Sequence, residues 1–237
     1  MKNILETAVK LCTPTKEEQA EVAQIVKEIE HKVNSVLKKL RISAKCSVGG
    51  SVARGTWLPG VSDVDFFILF DYEKYKGRSH LLSDVAEKVL KSVFKVVRRL
   101  HGSRDYFNVS YKNYILEFVP VLDISELSDA LNLTDYSPLH VYWVRDRIKA
   151  NKTLQAEVRL AKQFFKANDV YGAESYIAGF SGHAIEILTI HYGSFQRLLK
   201  NAVEWGHGDV IDVNKNYKNP NRIFDEVNES KLQRPII

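Results

Sequence analysis

The segment Val48 to Phe70, VGGSVARGTWLPGVSDVDFFILF, constrains the fold more than any other part of the chain. Its last seven residues, Val64–Phe70, contain a single charge, Asp65, and are apolar at both alternating sets of positions. A strand with two apolar faces is covered on both sides, so this run predicts a central strand of a sheet. The flanking sequence supplies the covering layers. Glu17–Leu40 reads as a helix with Val22, Ile25, Ile29, Val33, Val36 and Leu37 along one stripe, and Thr13-Pro14-Thr15 gives it a start signal. Ala44–Gly49 predicts a short strand, and Leu82–Val97 a helix striped by Val85, Val89, Val93 and Val96. Tyr106–Tyr111 and Tyr114–Leu122 predict a hairpin turning at Lys112-Asn113.

From Pro138 onward the pattern becomes helical. Gln155–Ala167, Gly179–Tyr192 and Phe195–Trp205 are the clearest helices, with Gly193-Ser194 separating the last two. The predicted class is α+β: a mixed sheet with flanking helices over residues 1–137, a helical region over 138–207, and a linker over 208–237. The chain closes on RPII, which reads as the first residues of a strand.

The central strand opens on Asp63-Val64-Asp65. Alternation puts both carboxylates on one side, where like charges repel and raise a pKa unless a cation lies between them. Magnesium suits such a site, because it takes a few carboxylates together with substrate phosphates. Two such ions, about 3.5–4 Å apart, can activate a hydroxyl and hold a triphosphate for in-line displacement. Upstream, Gly50 allows close backbone approach to a phosphate, Ser51 offers a hydroxyl and an N–H, and Arg54 a guanidinium fork. A two-metal site needs a third carboxylate. Glu117 is the candidate, since a charge inside the apolar YILEFVPVLDI is costly unless it is paired or binds a metal. Asp123 is a second candidate, nearer the strand end, where solvation alone would account for it.

Composition narrows the setting. The net charge of +5 is compatible with a nucleic-acid partner. No apolar run approaches the ~20 residues of a membrane span. The opening Met1-Lys2-Asn3 leads into no secretory h-region. Two cysteines, Cys12 and Cys46, form no metal or disulfide pattern. A cytoplasmic, reducing setting is therefore expected.

The Gly-Ser pair, spacer, Asp-x-Asp and distant acid resemble the nucleotidyltransferase superfamily of DNA polymerase beta. VGGSVARGTWLPGVSDVDFF, LEFVPV, YSPLHVYWV, the block EVRLAKQFFKANDVYGAESYIAGFSGHAIEILTIHYGSF and VIDV together resemble the archaeal, class I CCA-adding enzymes, which are tRNA nucleotidyltransferases. The resemblance implies transfer of CMP and AMP from CTP and ATP to the 3′ end of tRNA, without a nucleic-acid template. It implies that Asp63, Asp65 and Glu117 bind two Mg2+ ions, Glu117 standing where the family usually has Asp. It implies that Gly50, Ser51 and Arg54 hold the triphosphate, and that His140, Lys162 and Tyr171 contact the nucleotide. Taken alone, Lys162 reads as the solvated face of an amphipathic helix, while His183 and His191, in an apolar helix, read as structural.

The chain also departs from the family. Asp169 stands where Gly is usual, and the interval from His140 to Lys162 is about three residues longer. Family members have head, neck, body and tail domains; this chain matches head and neck. The expectation is an N-terminal half, split or truncated, whose tRNA grip and base selection need a second chain. A small stand-alone nucleotidyltransferase with another acceptor, and a non-catalytic tRNA-binding subunit, are the alternatives.

Overall fold

A computed structural model describes residues 2–223 except 175, 207, 216, 220 and 221. The expected strand start at RPII lies outside the described residues. The chain divides into two compact units: Lys10–Lys149, and the chain from Ala150 onward together with the first nine residues.

The first helix, α1, is Lys2–Leu11. The second, α2, spans Lys16–Lys39 and starts where expected: the Thr15 hydroxyl accepts from the Glu18 N–H while the Glu18 carboxylate accepts from the Thr15 N–H. Then follow β1 (Ala44–Val48), the short α3 (Gly50–Arg54), β2 (Asp63–Asp71), α4 (Tyr72–Tyr75), α5 (Leu82–Val93), β3 (Arg98–Leu100), β4 (Tyr106–Tyr111), β5 (Tyr114–Asp123) and α6 (Ser137–Ala150). The sheet order is β1-β2-β5-β4-β3. Only the β2–β5 pair is parallel. The hairpin between β4 and β5 turns at Lys112-Asn113 as expected, with Lys112 at φ +53°.

The alternation along β2 separates two chemistries. Val64, Phe66, Ile68 and Phe70 are buried against Ile25, Ile29, Val33 and Leu37 of α2 and Leu82, Ala86, Val89 and Leu90 of α5. Phe66 stacks on Phe118 of β5 at 5.2 Å. Each such side chain contributes about 1.5–3 kcal/mol by leaving water. The opposite face carries Asp63 and Asp65 at its mouth, then Phe67 and Leu69. These two pack with Val121 of β5, Val141 of α6 and Ala53 of α3. A thinner layer thus covers the carboxylate face.

α5 ends four residues before the expected Val97. Phe94 leaves the helix in extended conformation and lies against Tyr111 and Phe118, at 6.4 and 5.7 Å. The buried stripe runs through Leu82, Ala86, Val89 and Leu90, with Val85 and Val93 packed against the same core; Val96, beyond the helix end, is 67% exposed. β3 was not expected: two of its three residues are arginines, which read as solvated.

Beyond β5, Arg104 forms an ion pair with the fully buried Asp135. The Asp135 carboxylate also accepts from the N–H groups of Leu122, Leu131 and Asn132 at 2.9, 3.2 and 3.0 Å. This fastens the end of β5 to the turn that leads into α6, and so fixes His140 in the first turn of that helix.

The second unit is helical: α7 (Thr153–Ala167), α8 (Gly182–Tyr192) and α9 (Phe195–Ala202) pack pairwise. α8 starts three residues later than expected because the Ser181 hydroxyl accepts from the Ala184 N–H and caps it. The Glu157 carboxylate accepts from the Phe195 N–H at 2.8 Å, and Phe164 meets Phe195 at 5.4 Å, joining α7 to α9.

Candidate active site

The first unit gathers most of the predicted site residues on one face of the sheet. Parallel register sets Asp65 of β2 directly opposite Glu117 of β5, and Asp63 opposite Ile115. Neighbouring strands lie about 4.8 Å apart, so the Asp65 and Glu117 carboxyl groups share one neighbourhood. Asp63 is exposed; Asp65 and Glu117 are half-buried. Burial pushes Glu117 up to about 7, and the charges of Asp65 and then Asp63 push it the same way.

The Gly50 turn closes one side of this group. The Gly49 N–H donates to the Asp65 carbonyl at 2.7 Å, extending the β1–β2 ladder by one bond. Gly50 then takes φ +54° at the start of α3. A methyl group there would stand 2.5 Å from Cγ of Asp65. Gly50 is therefore required by the Asp65 carboxylate itself, a close approach that the sequence suggested only for a phosphate. Ser51 and Arg54 follow on α3, both half-buried. His140, also half-buried, lies on α6, whose Val141 packs on Phe67 and Leu69 of the carboxylate face.

Asp123 is set apart. It lies six residues beyond Glu117, opposite Asp71, and pairs with Lys45 at 2.9 Å. Of the two candidates for third acid, only Glu117 shares the neighbourhood of Asp65.

Lys162 and Tyr171 belong to the second unit. Lys162 is no solvated residue: its Nζ is buried and donates to Oε1 of the fully buried Glu186 at 2.6 Å. The other oxygen of Glu186 lies 3.4 Å from Nδ1 of His183. A methyl at Gly182 would meet the Tyr171 hydroxyl at 2.6 Å and Cε of Lys162 at 3.8 Å, so these side chains crowd one spot beside the start of α8. His191 is exposed and lies edge-on to its neighbour Tyr192 at 4.7 Å. Glu186 was not singled out from the sequence. Its signal was a lone acid inside the apolar HAIEILTI, the same kind of signal that exposed Glu117.

Among the described residues, no three Asp, Glu, His or Cys side chains are gathered closely enough to cage a metal ion by themselves. Asp63, Asp65 and Glu117 line an open edge instead. Asp65 and Asp63 raise the cost of ionising Glu117, and a divalent cation shared with substrate phosphates would lower that cost.

Residues 24–130 match the family model described as nucleotidyltransferase domain, and residues 156–236 the model described as tRNA nucleotidyltransferase, second domain. The CCA-adding enzyme of Nanoarchaeum equitans is 41% identical over 190 residues, covering 80% of this chain and 46% of that protein. The CCA-adding enzyme of Pyrobaculum aerophilum is 30% identical over 239 residues, covering 98% and 55%. The chain thus spans about half the length of the curated relatives it matches. Among solved structures, E. coli MS115-1 CdnC with ATP aligns with a TM-score of 0.65 at 18% identity, covering 99% of this chain and 87% of that one. The Cid1 RNA terminal uridylyl transferase aligns at 0.61 and 13%, covering 80% and 53%. These two likenesses concern the fold.

Proposed function

The chain belongs to the CCA-adding enzyme family, with a nucleotidyltransferase domain over residues 24–130 and a tRNA nucleotidyltransferase second domain over 156–236, and from that premise we propose that it transfers CMP and AMP from CTP and ATP to the 3′ end of tRNA. The observation that carries this reading is the register of Asp65 against Glu117, with Asp63 on the same face and the Gly50 turn beside it.

In this reading residues 1–137 form the catalytic head, 138–207 the helical neck, and 208–237 a linker. Asp63 and Asp65 would hold a cation for the triphosphate, and Asp65 and Glu117 one for the attacking hydroxyl. Two bound Mg2+ ions would supply charge neutralisation at the phosphates and would acidify the hydroxyl. The Ser51 hydroxyl and Arg54 guanidinium orient the phosphates. His140, Lys162 and Tyr171 contact the nucleotide, the charge of Lys162 being balanced by Glu186.

The terminal 3′ oxygen bonds to the α-phosphorus while the bond from that phosphorus to the bridging oxygen breaks, and pyrophosphate leaves. Glu117, which a bound cation would keep ionised, accepts the proton of the hydroxyl.

Base selection and the grip on the tRNA acceptor stem are assigned to polypeptide outside these 237 residues, joined to this chain or supplied as a second one. The compartment in this reading is the cytoplasm. Among the described residues no helix is long and apolar enough to cross a membrane.

The test is incorporation of labelled CTP and ATP into tRNA lacking CCA, with Mg2+ and with chelator, by the chain alone and with a C-terminal half from a relative. Transfer that depends on Mg2+ and disappears in Asp65→Ala, with unfolding unchanged, is the expected result. Full activity of Asp65→Ala would overturn the assignment.

A further inference from the structure

The row of side chains that crosses the sheet at Asp65 continues beyond Glu117. Antiparallel register sets Asn108 of β4 directly opposite Glu117. The next strand sets Arg98 of β3 directly opposite Asn108. Directly paired residues share a face, so Asp65, Glu117, Asn108 and Arg98 form one line across four strands. The flanking Phe107 and Val109 are buried on the other face.

The carboxamide oxygen of Asn108 is buried and, among the described residues, has no hydrogen-bond partner. Such groups are few in native proteins, and each calls for a donor. Among the described residues none supplies one. Arg98, at the end of the line, is exposed.

The line has a direction. The Gly50 turn stands at the Asp65 end, where the reading above puts the triphosphate. In-line displacement brings the attacking hydroxyl to phosphorus from the side opposite the leaving pyrophosphate. The acceptor strand therefore enters from the β4 and β3 end.

Resting on the nucleotidyl-transfer reading, we propose that Asn108 and Arg98 form the acceptor subsite for an RNA 3′ end. The Asn108 oxygen accepts a hydrogen bond from the 2′-hydroxyl of the terminal ribose, which turns the adjacent 3′-hydroxyl toward Glu117. Arg98 pairs with a backbone phosphate of the same strand. The 2′-hydroxyl is the group by which a protein tells RNA from DNA, so Asn108 makes the site selective for a ribose acceptor.

The experiment is single-turnover transfer to two tRNA minihelices that differ only at the terminal sugar, ribose or 2′-deoxyribose, both with a free 3′-hydroxyl. Wild type is expected to prefer ribose by about tenfold, the scale of one hydrogen bond. Asn108→Ala should bring the ratio to about one by slowing only the ribose acceptor. Asn108→Ser, which keeps a small polar group, guards against a folding defect and should fall between. Arg98→Ala should weaken both acceptors alike and flatten the salt dependence of binding by about 0.7 in log–log slope, one phosphate's worth. A ribose preference that survives in Asn108→Ala, or is absent from wild type, overturns the proposal. If wild type transfers to neither minihelix, the transfer reading fails instead. Equilibrium binding of the two minihelices by wild type and Asn108→Ala then decides the role of Asn108.

Discussion

Replacing Gly50 by Ala should inactivate the site without removing any group that touches substrate. The methyl would stand 2.5 Å from Cγ of Asp65, where ordinary contact begins at 3.4 Å. The carboxylate must therefore retreat by about 1 Å, and a misplacement of that size can lower catalysis on the order of 100-fold. A second cost is conformational, because φ +54° is a left-handed setting that costs an L side chain roughly 1–2 kcal/mol. Gly60 separates the two. It takes φ +71°, and a methyl there would meet nothing within 4 Å. Gly60→Ala should lose the same roughly 1–2 kcal/mol, or about 2–8 °C of melting temperature for a protein of this size, and keep its transfer rate. Gly50→Ala should melt at least as early and transfer about 100-fold more slowly. Thermal unfolding and single-turnover kinetics on the two variants are sufficient. Transfer by Gly50→Ala within about threefold of Gly60→Ala would refute the argument that this glycine serves the Asp65 carboxylate.

Glu117, raised from its ordinary 4.5 to about 7, binds more protons folded than unfolded, so its ionisation lowers stability as pH rises through that window and the loss is complete above about 7. Glu117→Gln should therefore unfold later than wild type at pH 8, by about 1–2 kcal/mol after allowance for residual solvent screening, and equally at pH 4; parallel unfolding curves across that range would contradict this. Removing either partner of the buried Lys162–Glu186 pair should cost about 3–5 kcal/mol, whereas Lys162→Met with Glu186→Leu should recover most of it. If that double variant still binds CTP like wild type by calorimetry, Lys162 is a structural residue only. Asp123→Asn breaks a half-exposed pair with Lys45, so a loss of no more than about 1 kcal/mol and unchanged transfer are expected. A collapse of transfer would return Asp123 to the site.

Periodicity made α2 and β2 readable to within a residue or two, because each buries a continuous face and the hydrophobic pattern has to follow it. Asp63, Asp65 and Glu117 were legible for the complementary reason: charge inside an apolar strand demands a cause. The misreadings lie where the decisive neighbour is distant in the chain. Lys162 on its helix has the pattern of a solvated residue, and only Glu186, on α8, makes it a buried one. Asn108 looks like any polar residue of a strand until the pairing of β4 with β5 sets it beside Glu117. The stop of α5 at Val93 depends on Phe94 finding Tyr111 and Phe118, contacts that no local window contains.

The parallel pairing of β2 with β5 has a consequence for how the protein assembles. β4 and β5 are joined by a tight turn and can zip together locally. Asp65 and Glu117 are about 50 residues apart, so β2 and β5 can meet only after a long loop containing α5 has closed. Contacts of that range form slowly, and this one also drives like charges together. The step that completes the sheet and the step that creates the site are then one event, opposed by electrostatics. If the acids bind divalent cations as proposed above, adding such cations during refolding is expected to speed that event.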